Sequence, residues 1–196
     1  MSLEADLKRT VRASATLMRV LQGVRALNLP DWRLVSGCVY QTVWNARTGR
    51  DPDYGLKDYD AVYFDPDSSY EAEDVHIRRA AAAFAPPLDA MVEVRNQARV
   101  HLWFEGKFGE PYPALANTDE ALERFICPAF AVGIRLEADD EISVAAPFGL
   151  QDLADMRLRP NPHRAFNRAG FERVVASAQA RWPELTVETP AMREAG

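Results

Sequence analysis

Two carboxylates stand directly before an apolar segment, in Asp58-Tyr59-Asp60 followed by Ala61-Val62-Tyr63-Phe64. Residues two apart on a strand point to the same face, so a strand at 58–64 places both carboxylates side by side at its start. Adjacent like charges are unfavourable unless a positive group lies between them, and hard divalent cations take carboxylate oxygens. The pattern therefore predicts a metal site or, because Asp is favoured in turns, an ordinary turn that leads into the strand.

Two further segments favour the metal site. Upstream, the apolar stretch Trp32-Arg33-Leu34-Val35 runs into a small-residue turn, Ser36-Gly37-Cys38. Downstream, Met91-Val92-Glu93-Val94 carries a single acid between valines. A lone acid is out of place in a buried strand unless it is paired or binds a metal. Glu93 is therefore predicted to be a third acid that converges with Asp58 and Asp60.

These elements, in this order, resemble the nucleotidyltransferases of the DNA polymerase beta superfamily. That superfamily has a glycine turn that opens a helix, a D-x-D strand and a third acid on a later strand, matched here by Gly37-Cys38, Asp58-Tyr59-Asp60 and Glu93. More closely, the chain resembles a bacterial group within that superfamily, the nucleotidyltransferase-like proteins of undefined substrate. Roughly residues 30 to 162 carry this likeness, through Val39-Tyr40-Gln41-Thr42-Val43-Trp44-Asn45, Val94-Arg95-Asn96-Gln97-Ala98-Arg99-Val100-His101 and Ala146-Pro147-Phe148-Gly149-Leu150-Gln151-Asp152-Leu153.

The resemblance implies a metal-dependent enzyme that transfers a nucleotidyl group from a nucleoside triphosphate, such as ATP, to an unknown acceptor. Asp58, Asp60 and Glu93 would be the catalytic carboxylates and would hold Mg²⁺, with Mn²⁺ as a substitute. The turn at Gly37 and Cys38 would meet the phosphates. Cys38 departs from the superfamily, which usually has Ser or Gly there, and the spacer to the D-x-D is longer. A thiol is a weak donor, but main-chain N–H groups at a helix N-terminus also bind phosphate.

Several polar and aromatic residues near these motifs are secondary candidates. Lys57 could neutralise phosphate or be a solvated loop lysine, and Arg95 could contact phosphate or form a salt bridge with Glu93. The other candidates could orient the acids, contact substrate or have structural roles: Trp44, Asn45, Asn96, Gln97, Arg99, His101 and Asp152.

Composition excludes some other classes of protein. The net charge of −6 over 196 residues argues against a large nonspecific DNA-binding surface, although a local basic patch is compatible with it. Two cysteines define no disulfide framework, and with three scattered histidines they lack zinc spacing. The chain has no P-loop motif and no G-x-S-x-G elbow. With no apolar signal core and no run of membrane length, a cytoplasmic protein is expected.

The order of strands and helices indicates an α/β or α+β sheet layered with helices. The resemblance implies the second, an α+β (mixed α/β) fold with a small mixed sheet and helices packed on it. We expect one domain over residues 1–196, with terminal helices packed on a core of about 30–162. Helices are predicted at 4–28, in the alanine-rich run to Ala85, near Thr118 as N-cap, and at 148–156 and 165–182. Strands are predicted at 32–36, 58–64 and 91–95, with a hairpin at 132–136 and 141–145. Two other functions fit the same features: a noncatalytic nucleotide-binding module and a protein-interaction module.

Overall fold

The computed structural model describes residues 2–189, so residue 1 and residues 190–196 of the predicted domain lie outside the described part. The helices are α1 (Leu3–Ala13), α2 (Ala15–Ala26), α3 (Gly37–Thr48), α4 (Tyr70–Ala83), α5 (Leu88–Met91), α6 (Phe104–Phe108), α7 (Asp119–Leu122), α8 (Gln151–Ala154) and α9 (Arg168–Gln179). The strands are β1 (Arg33–Val35), β2 (Tyr59–Tyr63), β3 (Val92–Asn96), β4 (Gly133–Leu136), β5 (Ile142–Ala145), β6 (Arg157–Leu158) and β7 (Thr186–Val187). Short 3₁₀ helices cover Gln97–Leu102 and Pro128–Phe130.

The main sheet has five strands in the order β3-β2-β1-β4-β5. The β2–β3 pair is parallel, while β1 pairs antiparallel with both β2 and β4, and β4 with β5. Parallel neighbours need a crossover connection, which α4 supplies between β2 and β3. The fold is therefore the predicted α+β arrangement of a small mixed sheet and helices, and the hairpin of β4 and β5 is confirmed.

The alternation of side chains along β2 and β3 decides where the acids lie. Tyr59, Ala61 and Tyr63 are buried on one face of β2, which leaves Asp60 on the opposite, half-buried face. On β3 the valines are buried, and Glu93 and Arg95 are exposed. The interpretation of Glu93 as an acid inside a buried strand is thus wrong, because the strand is buried on only one face.

The N-terminal segment corrects the prediction of one helix over 4–28. It forms two helices, α1 and α2, that meet at Ser14. The Ser14 hydroxyl accepts a hydrogen bond from the N–H of Leu17 at 3.2 Å, which caps α2, while the N–H of Ser14 bonds the carbonyl of Val11. A serine can satisfy a free N–H group at the start of a new helix in this way. The apolar stripe can therefore continue along the sequence although the helix is interrupted. The stripe itself packs in the core, as expected.

Three other predicted elements differ in detail. Thr118 precedes α7 but does not cap it, because its hydroxyl donates to the carbonyl of Asp31. Only Gln151–Ala154 of the predicted 148–156 helix is helical, since Gly149 turns the chain with a φ of 73°. The closing helix is Arg168–Gln179, shorter than predicted. No helix within residues 2–189 is both long and apolar enough to cross a membrane.

Candidate active site

A polar cleft lies where β1, the start of α3, the start of β2 and the end of α9 meet. Its volume is about 530 Å³. Asp58, Asp60, Gly37 and Lys57, four of the residues singled out from the sequence, line it. The others along its wall are Ser36, Tyr40, Gln41, Gly55, Ser177, Ala180 and Arg181.

The turn between β1 and α3 lines this cleft through Ser36 and Gly37. Ser36 has a φ of 60°, and its side chain makes no capping hydrogen bond. The first N–H groups of a helix lack intrahelical acceptors and carry the positive end of its dipole. A Cβ placed on Gly37 would lie 2.8 Å from Nε2 of Gln41 and 3.7 Å from Oδ1 of Asp58. The Asp58 carboxylate therefore lies beside the α3 N-terminus, and glycine keeps this approach open.

The side chain of Cys38 does not share this role. The thiol is fully buried, and Sγ donates to the carbonyl of Val35 at 3.2 Å. Burial raises the pKa of Cys38 well above its ordinary value, and the negative charges of Asp60 and Asp58 raise it further. Cys38 is a neutral core residue, so any phosphate contact at this position has to come from the main chain.

Asp58 and Glu93 both lie close enough to Asp60 to act on its carboxyl group electrostatically. Burial, then Asp58, then Glu93 raise the pKa of Asp60 from 3.8 to about 7, while the positive charge of Arg95 opposes them. Asp60 and Glu93 are register partners on neighbouring parallel strands. Within residues 2–189, however, no three His, Cys, Asp or Glu side chains form a group that could hold a metal ion.

The donor set of Asp58 and Asp60 fits Mg²⁺. Both offer hard carboxylate oxygens, and a cation between them would relieve the repulsion that raises the Asp60 pKa. Mg²⁺ needs only one or two protein carboxylates, because waters and substrate phosphates complete its shell. Glu93 is less available, since its carboxylate pairs with Arg95 at 3.2 Å.

For Arg95, the two interpretations were phosphate contact and a salt bridge with Glu93, and the salt bridge is the one present. Its guanidinium also donates to the carbonyl of Val94 at 3.0 Å. Both side chains of the pair are about half exposed, at 48% and 49%. Exposed pairs of this kind contribute little to stability, so Arg95 can exchange partners at small cost.

Arg181 is a cleft residue that the sequence did not indicate. Its Nη1 donates to Oε1 of Gln41 at 3.1 Å and to the carbonyl of Gly55 at 3.2 Å, and its guanidinium lies 4.6 Å from the ring centre of Trp182. These contacts hold a positive charge opposite the acids. Arg181 follows α9, far along the chain from Asp58, and no local motif surrounds it. Only the tertiary fold could reveal it.

The polar cluster after β3 is structural in most of its members. The Asn96 side chain bonds the main chain of Asp65 and Asp67, which ties β3 to the loop that follows β2. Arg99 pairs with the buried carboxylate of Glu73 at 3.0 Å. His101 differs, because its Nδ1 is buried and has no hydrogen-bond partner among the described residues.

Trp44 and Asn45 do not line the cleft, so of the two roles left open for them, substrate contact and a structural role, the structure supports the structural one. Trp44 is fully buried, and its Nε1 donates to the carbonyl of Leu153 at 3.0 Å. Asn45 is also buried and accepts a hydrogen bond from Nε1 of Trp182 at 3.0 Å. Both residues fix α3 against the elements that surround it.

Comparison with known proteins agrees with this arrangement. The model of the nucleotidyltransferase family matches residues 22–187, and the chain belongs to that family. A protein solved by NMR and described as revealing a CCA-adding enzyme head domain is similar, with 25% identity and a TM-score of 0.75. The similarity covers 94% of this chain and 95% of that one. No curated protein gives a match.

Proposed function

We propose that this chain transfers a nucleotidyl group from a nucleoside triphosphate bound in the polar cleft, in a reaction that depends on Mg²⁺. The observation that carries the proposal is that Asp58 and Asp60 line one cleft together with Lys57 and Arg181, where the Asp58 carboxylate lies beside the N-terminus of α3. Anionic metal ligands beside cationic groups and free main-chain donors suit a metal-bound triphosphate.

Each part of the cleft has a role in this proposal. Asp58 and Asp60 would hold the metal, which when bound supplies charge stabilisation and alignment of the reacting oxygens. Lys57 is exposed at the rim and would meet the outer phosphates. Arg181, fixed by Gln41, would meet charge that develops on the leaving pyrophosphate. The N–H groups at the start of α3 would bind a phosphate oxygen.

Glu93 has a secondary role in the proposal. It would support a second metal position or orient Asp60, after its ion pair with Arg95 opens. The family to which the chain belongs and the similarity to a CCA-adding enzyme head domain both support nucleotide as the donor.

ATP with Mg²⁺ is expected to raise the melting temperature more than ATP with EDTA. A ligand that binds only the folded state stabilises it by about 2.7 kcal/mol at 100 times its Kd, which for a domain of this size is a rise of about 5–10 °C. Differential scanning fluorimetry with ATP, GTP, CTP and UTP measures the effect. Equal shifts in Mg²⁺ and EDTA would contradict metal ligation by the acids, and no shift with any of the four would contradict nucleotide binding.

The Arg181→Gln variant tests the other wall of the cleft. It should lose most of the shift caused by Mg²⁺-ATP, while the exposed Arg173→Gln on α9 should retain it. Because the guanidinium also bonds Gln41 and Gly55, each shift is measured against the variant's own melting temperature without nucleotide.

A further inference from the structure

A second groove lies on the open face of the sheet, beside the polar cleft. Its volume is about 450 Å³, which is the size of a typical small-ligand site. Its walls are mainly apolar and aromatic, unlike those of the cleft. They include Val62, Val100, Trp103, Phe104, Phe108, Tyr112 and Phe125.

Asp60 lines both the groove and the polar cleft. The residue's position on the half-buried face of β2 explains this, because one side of it faces the start of α3 and the other faces Val62 and Arg95. The two spaces therefore meet at the carboxylate to which the proposed function assigns the metal. A molecule in the groove would present its near end to a nucleotide in the cleft.

Arginines outnumber acids along the wall of the groove, although Arg95 and Arg164 are each paired with an acid outside it. Three arginines, Arg95, Arg124 and Arg164, line it against one acid, Asp60, although the net charge of the chain is −6. Arg164 is engaged by Glu110, but Nε of Arg124 is buried and has no hydrogen-bond partner among the described residues. A buried donor without an acceptor is unfavourable, and an anionic ligand would supply the acceptor.

The aromatic wall remains partly open to solvent. Trp103 is 40% exposed and Phe108 is 48% exposed, and their ring centres lie 6.3 Å apart. Large apolar side chains exposed together mark binding surfaces. Aromatic rings beside cationic groups are the arrangement on which nucleic acid bases stack, because every base has a flat π face.

We propose that this groove binds the acceptor of the transfer reaction, and that the acceptor is a nucleotide unit with a free hydroxyl. Its base would stack on Trp103 and Phe108, its phosphate would lie on Arg95 and Arg124, and its sugar hydroxyl would point to Asp60. This inference rests on the proposed function for the identity of the donor. The nucleotide unit is either a free mononucleotide or the 3′ end of an RNA, which offer the same chemistry to the groove.

The reaction that follows is balanced without a further reactant. The hydroxyl oxygen of the acceptor attacks the α-phosphorus of the triphosphate and forms a new P–O bond. The bond from the α-phosphorus to the bridging oxygen breaks, and pyrophosphate leaves with that electron pair. The hydroxyl proton passes to solvent. The product carries a new phosphodiester linkage between the acceptor and a nucleoside monophosphate.

Trp103 provides a direct test. It is the most exposed of the four tryptophans, since Trp32, Trp44 and Trp182 are at most 3% exposed. AMP and a hexamer of adenylate RNA with a free 3′ hydroxyl are each titrated without triphosphate, and quenching of tryptophan fluorescence is followed. We expect saturable quenching, weakened at least tenfold by Arg124→Gln and severalfold by Phe108→Leu.

Matched controls keep the test specific. Arg173→Gln and Tyr70→Leu change exposed residues outside both the groove and the cleft, and should leave the quenching unchanged. Ribose 5-phosphate, which lacks a base, should not quench. Stronger binding of the hexamer than of AMP would identify an RNA end as the acceptor, and the reverse would identify a free mononucleotide.

Two results would overturn the proposal: no saturable quenching by either ligand, or equal weakening in the groove variants and their controls. Failure of the proposed function gives a different result, namely no Mg²⁺-dependent shift with any triphosphate. Arg181→Gln distinguishes binding in the cleft from binding in the groove. It should reduce the rise in melting temperature caused by Mg²⁺-ATP and leave the quenching by AMP intact.

Discussion

Asp60→Asn is expected to abolish nucleotidyl transfer while making the metal-free protein more stable. The substitution keeps the shape of the side chain but removes a charge that would hold the metal. Loss of metal-based charge stabilisation is worth several kcal/mol in the transition state, so activity should fall by about 100-fold or more. The Mg²⁺-dependent part of the ATP thermal shift should disappear with it.

The stability gain depends on pH, and its sign follows from the raised pKa of Asp60. Because that pKa is about 7 in the folded protein against an ordinary 3.8, the folded state keeps a proton that the unfolded state has lost between these values. The contribution of Asp60 to the free energy of unfolding therefore falls as pH rises from about 4 to about 7 and is constant above that. Asn removes the penalty, so the variant should gain about 2 kcal/mol at pH 8 and almost nothing near pH 4.

Chemical denaturation of both proteins at pH 5, 6, 7 and 8 measures this gain. Glu71→Gln, which removes an exposed acid at the start of α4, is the control and should change stability by less than about 0.5 kcal/mol. If Asp60 were a structural turn acid, its substitution would instead cost about 1–2 kcal/mol and leave nucleotide effects intact. A destabilised variant with normal Mg²⁺-dependent binding would therefore contradict the assignment.

Asp152→Ala is expected to cause the largest loss of stability of the substitutions considered, about 3 kcal/mol. Asp152 is only 3% exposed and accepts hydrogen bonds from Arg157 at 2.6 Å and from Arg159 at 2.7 Å. These bonds join α8 to β6 and the residue after it, and removal of the carboxylate takes this acceptor from both guanidinium groups, although Arg157 keeps an ion pair with Glu188 at 3.5 Å. The two arginines are partly exposed, so water can hydrate their guanidinium groups in the variant. The expected loss of stability is therefore at the low end of the range for breaking a buried ion pair.

Asp155→Asn is the matched control, since Asp155 is exposed near α8 and accepts hydrogen bonds from Gln151. It should cost less than about 0.5 kcal/mol in urea unfolding. Because Asp152 lines neither the cleft nor the groove, the Asp152→Ala variant should still bind Mg²⁺-ATP below its melting temperature. A loss under 1 kcal/mol would mean that the bridge is not structural.

The sequence was informative where one local pattern determines both structure and position. The apolar alternation around Asp60 and Glu93 indicated two strands, and the motif order indicated their family. The sequence was less informative where two neighbouring helices share one apolar pattern. The apolar residues of α1 and α2 form one continuous stripe in the sequence and pack in the same core. The pattern therefore did not reveal that the helix is interrupted at Ser14, which caps α2.

The residues that were missed or misread depend on contacts between distant segments. Arg181 reaches the cleft because the segment that follows α9 packs against α3, and no periodicity encodes that contact. For Trp44 and Asn45 the sequence left a substrate contact and a structural role open, and their hydrogen bonds with Leu153 and Trp182 in the core favour the structural role. The exposure of Glu93 could not be predicted, because the flanking valines do not show whether one face or both faces of β3 are covered.

The most direct test of the central claim follows the labelled phosphate of ATP. Purified protein, Mg²⁺ and cell extract are incubated with ATP labelled at the α-phosphate or at the γ-phosphate, and the label in acceptor molecules is measured for the wild type and Asp60→Asn. Nucleotidyl transfer by this cleft predicts acceptor labelling from the α-position alone, above that of extract without protein, and its loss in Asp60→Asn. Labelling from the γ-position, or equal α-labelling by the variant, would contradict the account.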